Sequence, residues 1–437
     1  MSSANQKLRD LVPRREDLLL KIQQANQYVG LVILFHVVTI GALAFFIDWI
    51  QVINRPLLYI IASGVVVGPF ALQILQRLAQ KRKEIGDLKE STRFGQFDKH
   101  RLRVLFNETL QKLGLPQVHL PVYVTADRTM NAYSSHLGYG LAVLFPQLNG
   151  IYLNRQLLRK FEPAEVQDTM GHELGHYYAH YLKSTRYYLL SCLVGIVLAI
   201  GITQWVGLDS IVGYLSLAIC ASAAFFFTSR RSVAQIHAIE YLCDDFGAHV
   251  NGIEAGINGL MKLGAAAEVE TTIFFESLLS HKFAKLSAPE ILETLQQAIP
   301  YGHVSQTELE QAVQTQLVKQ TQKGPSLSGF FKYAWQGDAE AEMGDELKEY
   351  AKTYQRLRAM PRLDWESLLV DPTRVKFYGE TLSQLIEMIE DHPGIPLFHE
   401  LPADTANDTH PPTFMRVLYL WYNREGIASS SALPRSV

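Results

Sequence analysis

The sequence predicts a mostly α-helical protein with a small β-sheet and four transmembrane helices. Four runs, at about 29–47, 57–75, 187–206 and 210–228, are almost continuously apolar. The polar stretches between and after them mostly repeat their apolar residues at helical spacing. Short extended pieces around 120–135 and 149–154 supply the sheet.

Each apolar run approaches the roughly 20 residues that cross a bilayer as a helix, and core helices seldom run that long without a charge. His36 inside the first run is expected to pack against its neighbours. The first run follows a polar segment and no small-residue cleavage site comes after it, so it reads as a retained anchor rather than a signal peptide. Lys7, Arg9, Arg14, Arg15 and Lys21 precede span 1, and Arg77, Lys81, Arg82 and Lys83 follow span 2. Lys183 and Arg186 precede span 3, Arg230 and Arg231 follow span 4, and the connections within the hairpins hold only Arg55. The positive-inside rule then places both ends and all large polar segments in the cytoplasm.

A length of 437 residues has room for two or three domains. A net charge of −3 and a pI near 6.5 offer no basic footprint for nucleic acid. Cys192, Cys220 and Cys243 lie far apart without a CxxC pair, so neither a disulfide framework nor a cysteine zinc site is indicated, and Cys243 reads as a small core residue. The expected organisation is an N-terminal cytoplasmic segment 1–28, a first transmembrane hairpin 29–75 and a cytoplasmic part 76–186. A second hairpin 187–228 follows, then a helix-bearing segment 229–265, a helical region of unknown role 266–404 and a C-terminal segment 405–437.

Within this frame 76–113 reads as one charged helical stretch carrying Leu102, Leu105, Phe106, Leu110 and Leu113 at helical spacing. "LPVYVTADRTMNAYSS" (120–135) reads as a strand, a turn and a second extended piece, and "NGIYLNRQLL" (149–158) as a strand entering a helix. Another helix begins at Phe161-Glu-Pro-Ala-Glu, with Pro163 tolerated in its first turn. Helical patterns continue over 231–265, 267–300 and 306–322, "KGPSLSG" (323–329) is a loop, and helices return over 339–390 and from about 412.

The helix after Pro163 carries "TMGHELGHYYAH" (169–180). Residues four apart share a helix face, so His172 and His176 can offer two imidazoles to one metal ion while Glu173 beside them holds a water. Gly175 costs the helix about 1 kcal/mol relative to alanine, which suggests close approach at this face. A third ligand has to come from elsewhere, and "HAIEYLCDDFGAHVNG" (237–252) offers Glu240 with Asp244 one turn later. The intervening apolar hairpin leaves and re-enters the same membrane face, so the two helices can lie side by side. Glu240 then completes a His₂Glu site and Asp244 accepts a hydrogen bond from a ligand histidine, fixing its tautomer. His237, one turn before Glu240, is the main rival; His180 stands in line with the first two histidines and His249 is a weaker candidate. "HELPA" (399–403) imitates the motif, but Pro402 interrupts a helix and Ala403 replaces the second histidine.

These residues together resemble the M48 family of membrane metallopeptidases, with HELGH (172–176), an upstream NAYS (131–134), EYLCD (240–244) and THPPTFMR (409–416) in order. Two spans before the motif and two after it match the arrangement of the HtpX heat-shock proteases. The likeness covers about 29–265 and 405–425; the stretch 266–404 between them matches nothing in it, and Arg230-Arg231 lies nine or ten residues too early for the family's pattern. The resemblance implies a zincin-like metallopeptidase domain holding one Zn²⁺ per chain on His172, His176 and Glu240, with Glu173 as general base. By the same analogy Asn131, Ala132 and Tyr133 form an edge strand that takes up an extended substrate, and His410 or Arg416 stabilises the oxyanion or braces Glu240, with His410 the favoured oxyanion donor. The implied protein is a multi-pass enzyme of the bacterial inner membrane, in contact with lipid, cutting protein or peptide substrates at the cytoplasmic face. A catalytically inert or self-cleaving membrane sensor or scaffold that keeps the fold is the alternative.

Overall fold

The computed structural model describes residues 8–127, 129–135, 145–183, 188–207, 212–213, 215–216, 219, 233–279, 352–399 and 410–429. The apolar runs come first. Helix α1 (Arg15–Gln27) leads into α2 (Val29–Phe45); the short α3 (Trp49–Asn54) turns the chain, and α4 (Pro56–Ala79) brings it back. Asp48 caps α3 by accepting from the Ile50 and Gln51 N–H groups at 3.0 and 3.2 Å. Helix α8 (Tyr188–Trp205) packs against both α2 and α4, with Ala62 and Ala199 fully buried and Gly195 lying against Val66. At one end Gln204 donates to the Asp48 carbonyl and accepts from the Asp48 N–H, each at 2.9 Å. Leu31, Leu34, Phe35, Ile60, Ile61 and Leu72 point outward, an apolar surface that water alone would not favour. Among the described residues, Leu8–Phe45 is long and apolar enough to cross a membrane, and Pro56–Gly68 and Cys192–Trp205 are shorter apolar helices. His36 turns its Nδ1 back to the Val32 carbonyl at 2.6 Å. Most of the fourth run, 210–228, lies outside the described residues.

The four-stranded sheet has the order β1-β2-β4-β3, with β1 (Arg82–Glu84), β2 (Val122–Thr125), β3 (Ala132–Ser135) and β4 (Gly150–Asn154). β2 and β4 run parallel; β1 and β3 are antiparallel to their neighbours, which leaves β3 at an edge. The expected single helix over 76–113 is therefore corrected: α4 ends at Ala79, β1 pairs Arg82 with Thr125, and α5 occupies only Lys99–Lys112. The charged trio Arg82-Lys83-Glu84 has no strand pattern of its own and is extended because β2 offers it a free edge. Within α5, Leu102, Leu105, Phe106 and Leu110 are buried as their spacing requires.

Alternation along the strands divides the two faces. Val122, Val124, Ile151 and Leu153 pack onto α5 and onto α7 (Pro163–Leu174) through Val166, Met170 and Leu174. On the opposite face Tyr123, Tyr152 and Tyr133 stack in register, with ring centroids 5.0 and 4.7 Å apart. The expected strand-into-helix unit stands as β4 followed by α6 (Arg155–Lys160).

A second core joins α1 to α9 (Val233–Asn251), α10 (Ile253–Leu279), α11 (Gly379–Asp391) and α12 (Thr413–Ser429). The helical pattern expected over 231–265 is broken at Gly252, whose φ of +83° ends α9 in a conformation a side chain would resist. Segments 306–322 and 323–329 lie outside the described residues. The helix expected over 339–390 is reduced, among the described residues, to 352–359 and α11; Trp365, Val375 and Phe377 between them fill the core in non-α backbone. Trp365 is fully buried and donates its indole N–H to the Leu397 carbonyl at 3.1 Å. Asn258 of α10 exchanges hydrogen bonds with the Phe377 backbone at 2.9 and 2.7 Å. Residues 352–399 are thus part of the core that carries α9 and α12.

Candidate active site

Helix α7 starts on a capping box: the Glu162 N–H donates to Glu165 at 2.7 Å, with Pro163 in the first turn as expected. Glu165 is buried and paired with Lys262 of α10 at 2.6 and 2.7 Å, which fastens the start of α7 to α10. Helix α9 crosses α7 almost backbone to backbone. A Cβ on Gly175 would stand 3.0 Å from the Cys243 Sγ and 3.2 Å from its Cα, and one on Gly171 would stand 3.0 Å from the Gly247 Cα. The close approach suggested by Gly175 is real, and Cys243 is the small buried residue it requires. After Leu174 the helix widens into a π turn over Gly175–Ala179, closed by the His180 N–H on the Gly175 carbonyl at 2.7 Å. Such turns recur at functional sites, and this one carries His176.

The crossing brings His172, His176 and Glu240 together, the metal-ligand group found among the described residues. The His172 and His176 Nε2 atoms are 3.1 Å apart, and Glu240 oxygens lie 3.6 Å from the first and 3.3 Å from the second. Three ligands about 2.0–2.1 Å from one tetrahedral zinc stand about 3.3 Å from each other, so these donors have the spacing of one face of such a site. The Glu240 Oε2 is buried without a hydrogen-bond partner, as an atom reserved for a cation would be. The residues present therefore fit the metal that the motif implies.

Asp244 faces the His172 Nδ1 at 3.0 Å, leaving Nε2 turned to the ligand cluster. Arg416 of α12 grips Asp244 with two bonds, 2.7 Å from Nε and 2.5 Å from Nη2, and stands 3.9 Å from Glu240. Burial works against the Asp244 carboxylate, but the guanidinium and His172 outweigh it and hold its pKa well below the usual carboxylate range. Burial also penalises a charged His172 ring, yet Asp244, with Glu240 and Glu173, raises its pKa to about 9 in the metal-free chain. His176 is pushed well down by burial and by the His172 charge. Glu173 is buried, which raises its pKa to about 6, and it accepts hydrogen bonds from the Ser134 hydroxyl and N–H of β3.

His410 at the start of the last segment is 3.5 Å from Glu240 through its Nε2 and is 58% exposed, lining the same cleft as Asn131, Ala132 and Glu173. The side chain of Tyr133 does not face that cleft. It stacks on Tyr152 and hydrogen-bonds Gln80 at the end of α4, because alternation along β3 turns Ala132 and Ser134 toward α7 and Tyr133 away. The rivals for the third ligand stand apart from the cluster. His237 is on α9 with its Nε2 buried and unpartnered, His249 lies against Asp245, and His180 meets Phe246 edge to face at 5.8 Å, its pKa driven by burial to about 3. His399 of the imitation motif ties to Glu268 and to the Met360 carbonyl.

Sequence reasoning missed two residues of the site. Ser134 is the last residue of NAYS, and only the pairing of β3 shows that it reaches Glu173. Asp168, one turn before His172 on the same helix face, lines the cleft, and burial raises its pKa to about 8. Its four-residue spacing from His172 was the available signal.

A mostly helical domain with a small sheet, an HExxH helix beside that sheet and a carboxylate delivered from a second helix define a metallopeptidase of the HExxH class. Residues 97–294 match the family model described as Peptidase family M48, a metallopeptidase family, so this segment is similar to it. Neither the curated proteins nor the solved structures include a significant match.

Proposed function

We propose that the protein is a membrane-embedded zinc endopeptidase that cuts membrane or membrane-adjacent proteins at the cytoplasmic face. The observation that carries this reading is the donor triangle of His172, His176 and Glu240, with the unpartnered Glu240 oxygen inside it and Glu173 held alongside. One zinc per chain held there would polarise the scissile carbonyl and acidify a water.

The chain's own residues do the rest. An extended substrate adds to β3, an edge strand among the described residues, guided by the backbone at Asn131, Ala132 and Tyr133. Glu173 takes the proton of the attacking water and returns it to the leaving amine, while Ser134 keeps its carboxylate aimed. His410, exposed to the cleft, is the donor assigned to the developing oxyanion. Asp244 and Arg416 hold His172 and Glu240 in position.

Four spans, of which α2, α4 and α8 are described in whole or large part, anchor the domain as a multi-pass protein of the bacterial inner membrane. Their basic flanks put the active site in the cytoplasm. The test is purified protein in detergent with zinc and casein as an unstructured substrate, beside Glu173→Gln. Cleavage by the wild type alone is expected; an inactive wild type with a full zinc complement would favour an inert scaffold instead.

A further inference from the structure

Asp168 is a buried carboxyl with one oxygen left without a hydrogen-bond partner. It is only 9% exposed, and that oxygen is Oδ1. The positive groups that act on it, His172 and Arg416, are both turned to Asp244. Two glycines admit the carboxyl between the helices, since a Cβ on Gly247 or Gly256 would come within 3.1 Å of Oδ1. The residue nevertheless belongs to the cleft, which it lines together with Ala132 of the edge strand, Glu173 and His410.

The cleft around Asp168 has both apolar and polar lining. Leu260 and Leu263 of α10 give it an aliphatic wall. Thr169 sits beside Asp168, and because its hydroxyl already donates to the Glu165 carbonyl at 2.8 Å, it can offer only lone pairs to a visitor. An apolar wall ending in acceptors suits a side chain with a hydrocarbon stem and a donor tip. We propose that Asp168 is a specificity-determining residue that selects a lysine side chain of the substrate next to the scissile bond. This rests on the peptidase reading above.

The test is full-length protein in detergent with zinc, given a peptide library varied on both sides of the scissile bond, with cleavage sites read by mass spectrometry. Lysine should be enriched about tenfold or more over norleucine, its apolar counterpart, at one position, in keeping with a hydrogen bond to a charged group. Asp168→Asn should still cut the library but lose that enrichment. An identical profile for wild type and Asp168→Asn would overturn the assignment, leaving the carboxyl to an ordered water.

Binding of a lysine peptide and its norleucine twin to Glu173→Gln, by fluorescence anisotropy with and without added zinc, separates this inference from the peptidase reading. If the wild type cleaves nothing, tighter binding of the lysine peptide, abolished by adding Asp168→Asn, still supports it, and equal binding overturns it.

Discussion

Asp244 uses both of its oxygens: Oδ1 faces the His172 Nδ1 and accepts from Arg416, and Oδ2 accepts the second Arg416 bond. That arrangement separates the roles of the α9 residues by experiment. Glu240→Ala should lower zinc affinity and hydrolysis together, whereas His237→Ala should keep both, because His237 lies outside the donor triangle. Asp244→Ala should fall between them, weakening zinc about 10–100-fold as the loss of an orienting partner does. Competition with a chromogenic chelator reads all three; loss of zinc in His237→Ala with retention in Glu240→Ala would mean a His₃ site. Glu173→Gln should keep zinc and cost hydrolysis about 10²–10⁴-fold or more, since the glutamate handles the proton and is not a ligand. Arg416→Leu strips the partner from a buried carboxylate and should destabilise the fold by about 3–5 kcal/mol, read by denaturant unfolding in detergent.

The elements deliver these residues through the crossing of α7 and α9. Gly175→Val should force the helices apart against Cys243, costing about 1–3 kcal/mol, and should weaken zinc binding because the donors ride on opposite helices. Cys243→Ala should recover part of that loss by removing the Sγ, though the Cys243 backbone would still crowd the new side chain, its Cα 3.2 Å from the added Cβ. Unchanged zinc affinity in Gly175→Val would show that the crossing does not set the site. Much of this is legible in the order of the residues. HELGH puts His172 and His176 on one helix face by helical period alone, and the apolar hairpin explains how Glu240 can approach them. What stays illegible depends on partners far away in the chain. β1 is extended only because β2 lies beside it, the break at Gly252 rests on one backbone angle, and Ser134 and Asp168 acquire roles from the helices packed above them. Tyr133 is legible as part of an edge strand, but the direction of its side chain depends on strand phase, which sequence spacing leaves open by one residue.

At the scale of the whole molecule, the catalytic part is coupled to its apolar helices. Arg77 near the end of α4 donates to the Ser135 hydroxyl at 2.8 Å, and Gln80 accepts from Tyr133, so the edge strand hangs directly from the second helix of the first hairpin. The proposed orientation is therefore also a statement about where a substrate meets that strand. Helix α4 has 24 residues and is about 36 Å long, and its apolar part is Pro56–Gly68. Asn54 at its beginning and Lys83 just beyond its end are both exposed, and the basic residues gather at the Lys83 end. In a chain freed of Cys192, Cys220 and Cys243, Asn54→Cys should react with a membrane-impermeant maleimide in intact cells. Lys83→Cys should react only after permeabilisation. Labelling of Lys83→Cys with protection of Asn54→Cys would invert the protein and move its cleft, with β3 and the proposed zinc ligands, to the other side of the membrane. Labelling of both in intact cells would remove α4 from the bilayer altogether and leave its outward-facing Ile60, Ile61 and Leu72 in need of a protein partner.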